Sequence, residues 1–109
     1  MRLRIDYFDQ NDKFEKLLPR SGTVERTIPA NDSALTWYLL KLDEPLDCEG
    51  SAINRLYIAS RWRYQSVGDF EPTSVFVLLV PAGTIVGQSF STSQYAQVVW
   101  GMANTLTNS

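Results

Sequence analysis

At the start of the chain Leu3, Ile5 and Tyr7 alternate with Arg2, Arg4 and Asp6. A period of two is what a strand with one dry and one wet face requires. The next stretch, NDKFEKLLPR, changes period. Asp12 and Glu15 have capping-box spacing, Phe14, Leu17 and Leu18 make an apolar stripe, and Pro19 ends it. This predicts a short helix or helical turn. Thr23 to Ile28 is rich in β-branched residues and stops at Pro29, predicting a second strand before the turn-forming ANDS cluster.

Leu35 to Leu42 places Trp37 and Leu39 on one face and Tyr38, Leu40 and Leu42 on the other, and then enters the acidic segment DEPLDCEGS. Pro45 and Gly50 predict a loop there. Alternation returns from Arg55 to Tyr64, whereas Val75 to Val80 is apolar on both faces, as suits a strand covered on two sides. These two are expected to pair as a hairpin through QSVGDFEP, with Thr84 to Phe90 adding an edge strand. In the tail, Tyr95, Val98, Val99, Met102 and Leu106 have helical spacing behind a Ser93 cap, although Val98 to Trp100 also suits a strand. The spacing leans to a helix.

Together these elements predict a mainly β fold. It is one small antiparallel β-barrel or strongly bent sheet of five to six strands over residues 1–109, with one or two short helices. An α+β sandwich is the alternative. The length of 109 residues suits one domain, and 44% hydrophobic with 20% charged residues is a globular composition. No apolar run reaches the ~18 residues of a membrane-spanning helix, and the N-terminus lacks the apolar segment of a signal peptide. A soluble protein is expected. The single cysteine, Cys48, excludes an internal disulfide and points to the cytoplasm.

Charge and chemistry narrow the function classes. Ten basic residues against twelve acidic ones leave a net charge of −2, so any anion site must be local. The chain has no histidine, which removes the commonest general base and most catalytic zinc sites. Cys48 lies between Asp47 and Glu49, whose charges oppose a thiolate. Asp69 and Glu71 are the carboxylates nearest to a hydrolytic pair, with nothing to set them face to face. Gly83 and Gly87 are not followed by the Lys-Ser/Thr of a phosphate loop. No enzyme, cofactor or metal is expected.

Three binding surfaces remain. The stretch RLYIASRWRYQ sets Arg55, Tyr57, Arg61 and Arg63 on one strand face, where guanidinium groups could hold phosphates while a ring stacks on a base. The plainer reading is a wet face paired with carboxylates of the Asp43 to Glu49 segment. That segment gathers four carboxylates without the ligand order of a calcium loop. Trp37, Tyr38, Trp62 and Tyr64 could line an aromatic pocket for a small, even cationic, molecule, or simply fill the core. Finally, nothing from Pro72 to Ser109 is charged. This predicts either a core-filling segment or an interface between copies through Tyr95, Val99, Trp100 and Met102. The leading expectation is a noncatalytic binding or adaptor protein acting by protein association, as a homodimer. Nucleic-acid or anion binding and small-molecule binding are the alternatives, and no membrane association is expected.

Overall fold

The computed structural model describes residues 2–8, 20–48, 51–60 and 73–106. Six strands form one antiparallel sheet: β1 (Arg2–Phe8), β2 (Arg20–Ile28), β3 (Trp37–Cys48), β4 (Ser51–Ser60), β5 (Thr73–Pro81) and β6 (Ala96–Leu106). Each strand pairs with its neighbours in sequence, and β6 returns to pair with β1, so the barrel is closed. Closure removes the open edges that would otherwise expose unpaired backbone groups. The fold is therefore mainly β, as the alternation predicts. Among the described residues the helical content is one 3-10 turn, Thr92–Gln94. The helix expected over NDKFEKLLPR lies outside the described residues, as does the connection QSVGDFEP. No described helix is long and apolar enough to cross a membrane.

A barrel of few strands has an interior just wide enough for side chains to fill. Here Leu3, Ile5, Leu40, Leu42, Leu46, Ile53, Leu56, Ile58, Val75, Val77 and Leu79 fill it, with Val24 and Tyr38 packed against them. Each fully buried aliphatic side chain contributes about 1.5–3 kcal/mol relative to exposure. Gly22 faces inward on β2 because the chains crowd there. A Cβ at Gly22 would lie 2.4 Å from the Lys41 carbonyl oxygen and 3.1 Å from Leu40 Cγ.

A second apolar layer lies outside the barrel. Ile28, Trp37, Leu39, Tyr57, Ala59, Leu78 and Val80 bury there with Phe90. The strap formed by residues 82–95 lies over them, and residues 29–36 flank it. Phe90 N donates to the Pro29 oxygen at 3.2 Å, and Asn31 N to the Phe90 oxygen at 2.7 Å. β5 is thus dry on both faces, as its unbroken apolar run predicts.

Three expectations are corrected. The tail is a strand from Ala96, not a helix, because β1 and β5 both need a hydrogen-bonding neighbour and β6 serves the two at once. The acidic segment is not a loop through Cys48, since β3 continues to that residue. Between Lys41 and Leu46 four residues oppose the single Asn54 of β4, and this irregularity takes Pro45 without costing a ladder bond. Thr84 to Phe90 is not an edge strand either, and makes one isolated bridge, Ala30 to Phe90.

Candidate functional site

The outer surface of β1 to β4 carries the charged chemistry. Register places Arg2 beside Thr23, Thr23 beside Lys41, and Lys41 beside Arg55, one residue from each of four successive strands. Cross-strand neighbours of this kind have Cβ atoms about 4.5–5.5 Å apart. Arg2 reaches across β2 to Asp43 on β3, with Nη1 donating to Oδ1 at 3.2 Å and Nη2 to Oδ2. Its Nη1 also donates to Thr23 Oγ1 at 2.9 Å. Arg55 reaches across β3 to Glu25 on β2, with Nε donating to Oε1 at 2.7 Å. Hydrogen bonding to Arg2 holds the Asp43 carboxyl below its ordinary value. Both pairs are largely solvated and contribute little to stability.

Glu25 reaches Arg55 because it is the extra residue of a bulge. Val24 pairs with Leu40 and Arg26 with Leu39, which leaves Glu25 without an opposite number. Beside this face Arg20, Ser21, Asp43 and Glu44 line an open cleft of about 330 Å³. Arg20 Nη1 lies 3.5 Å from Glu44 Oε2, and Arg20 Nε is buried with no hydrogen-bond partner among the described residues.

The aromatic layer has different contents. Phe90 stacks on Tyr57 with centroids 3.9 Å apart and planes 4° from parallel. Trp37 meets Phe90 edge-on at 5.8 Å, and Tyr95 meets Tyr57 at 5.1 Å. Burial, and next the hydrogen bond to Tyr95, push the Tyr57 phenol up, so it stays protonated. The strap is tied down by polar groups at its middle and near its C-terminal end. Arg26 Nη2 donates to the Gly87 oxygen at 3.1 Å. Asp32 accepts from Thr92 N and Thr92 Oγ1, each at 2.8 Å, and from Ser93 N at 3.3 Å.

These bonds, the Thr92 amide first, hold the Asp32 carboxyl below its ordinary value of 3.8. The folded state therefore takes up that proton less readily than the unfolded chain. The strap's attachment is complete above the ordinary value and is lost as pH falls through the lower folded value. Protection of the Thr92 and Ser93 amides, measured against the intrinsic exchange rate at each pH, is expected to fall below about pH 4, and to be low already at neutral pH in Asp32→Ala. Protection unchanged by acid and by the substitution would show that other contacts hold the strap.

The residues singled out from sequence fall in separate places. Arg55 is on the charged face, but Tyr57, two residues on, is fully buried. Phe90 occupies the ring face expected to stack on a base. Trp37 and Tyr38 point to opposite sides of β3, Trp37 into the outer layer and Tyr38 toward the barrel core, so they do not share a pocket. Arg61, Arg63, Trp62, Tyr64, Glu49, Asp69 and Glu71 lie outside the described residues. Tyr95 packs against the outer layer. Val99, Trp100 and Met102 belong to β6, where the register with β5 shifts between Val75 and Val77.

Sequence reasoning passed over Lys41, although it is the one charged residue from Trp37 to Leu42. It also passed over Ile85, which lies between Gly83 and Gly87 at the exposed edge of the strap. Among the described residues no group of three or more metal-ligating side chains comes together. Compared with protein-family models, characterised proteins and solved structures, the chain matches none.

Proposed function

We propose that this barrel is a noncatalytic binding or adaptor module that acts through protein association and pairs with a second copy of itself through its charge-free part. The observation that carries the reading is Ile85. The residue is 92% exposed, and among the described residues it is the one large hydrophobic left in solvent. It stands on a strap whose Ala82, Gly83 and residues from Gly87 to Ser89 are also exposed. No residue from Pro72 to Ser109 is charged. A strap without charged residues of its own and with a projecting aliphatic group suits the core of an interface, where charged residues are depleted, and Arg26, which donates to the Val86 and Gly87 oxygens, would stand at its rim. The filled barrel interior supports a surface function over an internal pocket. A two-fold pair covers such a patch with the same patch.

Sedimentation at about 10–50 μM, a range that reads micromolar affinity, tests this. The wild-type chain is expected to run as a dimer, and Ile85→Asp as a monomer with an unchanged melting temperature. A wild-type chain that stays monomeric there would remove the homodimer.

A further inference from the structure

From the outer row of the barrel we infer an oxyanion site, built by Thr23, Lys41 and Arg55, that takes a phosphate group. This goes beyond association through the strap and rests on a different face. The three residues sit on adjacent strands as successive cross-strand neighbours. They bring three kinds of donor to one place. Arg55 spends its Nε on Glu25, and among the described residues its two terminal nitrogens have no partner. That free edge is the fork that grips two oxygens of one phosphate. Lys41 is exposed and makes no hydrogen bond or ion pair among the described residues, so its ammonium can turn to the same anion. Thr23 Oγ1 accepts from Arg2, which leaves its own proton to donate outward.

The two carboxylates on this face work as positioning groups. Glu25 fixes the Arg55 guanidinium through Nε, and Asp43 fixes Arg2 beside Thr23. Three cations, Arg2, Lys41 and Arg55, face these two carboxylates, so the row keeps an unbalanced positive charge on a chain whose net charge is −2. One phosphate matches that excess, whereas a long polyanion would meet the surrounding negative charge. Tyr57 plays no part, because Phe90 covers it.

Phosphate can be free or carried in a nucleic-acid backbone, and the test separates the two. Isotope-labelled wild-type protein is titrated with inorganic phosphate and, separately, with a labelled oligouridylate, while the signals of Thr23, Lys41 and Arg55 are followed by NMR. Those three are expected to shift together. Binding of the oligouridylate should weaken about three- to sevenfold between 50 and 200 mM salt, the dependence of one or two phosphate contacts on a single strand. Lys41→Gln, which removes one exposed charge and should fold normally, is expected to weaken binding about five- to tenfold. Lys41→Arg should restore it to within about twofold, since either cation meets one phosphate. Saturation by inorganic phosphate identifies a free phosphate ligand, and saturation by the oligouridylate alone identifies a strand-borne one. The inference is overturned if neither probe shifts these signals, if Lys41→Gln binds as wild type does, or if oligoglutamate binds equally well.

Discussion

Phe90→Ala is expected to lower the unfolding free energy by about 3–5 kcal/mol, the usual cost of deleting a buried phenylalanine ring. The ring is 4% exposed and is in contact with Tyr57, Trp37 and Tyr95. Its loss opens a cavity in the outer layer that cannot simply collapse. Tyr57 is held in β4 by both neighbouring strands, and the strap is fixed at Asp32 and Arg26. For a chain of this size the melting temperature should fall by about 15–25 °C. Urea unfolding measures the effect directly. A loss below about 0.5 kcal/mol, the level of an ordinary surface substitution, would mean that the strap lies loosely on the barrel and that the inner core alone determines stability.

Gly22→Ala is expected to destabilise by about 2–3 kcal/mol, in the range of overpacking a core. Replacing glycine by alanine inside a strand ordinarily gains roughly 0.5–1 kcal/mol, so the predicted sign is the reverse of the usual one. The reason is the Lys41 carbonyl. The added carbon would lie 2.4 Å from that oxygen, and a backbone atom in the β2–β3 ladder cannot step aside as a flexible side chain can. Gly22 also lies opposite Leu3 of β1, so any shift of β2 disturbs two ladders. Guanidinium unfolding of the variant decides the matter. A stabilised Gly22→Ala would show that β2 and β3 stand farther apart than this contact requires.

Much of the strand framework was legible because it rests on neighbouring residues. Leu3 and Ile5 against Arg2 and Arg4, or Leu56 and Ile58 against Arg55, record a pleat in which successive side chains oppose each other. The pairing of β4 with β5 followed from their order. What escaped was whatever depends on an extra residue or a distant partner. Val24 and Ile28 share a parity, yet the bulge at Glu25 sends Val24 toward the barrel core and Ile28 into the outer layer. The tail reads as a helix when only its own spacing is counted. It becomes a strand once β1, from the other end of the described chain, lies alongside. The candidate sites divided in the same way. Arg55 was found because its face shows in the alternation, whereas Lys41 and Thr23 join it only through register.

The sequence by itself determined that the chain forms strands, where most of them lie, and that charge is confined to its first two thirds. These properties are carried by consecutive side chains and need no partner to be expressed. Only the tertiary structure decided that the sheet closes, that the face bearing Arg55 is dry at Tyr57, and that Phe90 from a remote loop makes it so. The physical reason is that alternation sorts side chains into two faces, but burial of a face depends on what packs over it, and that is set by contacts between residues far apart in the chain.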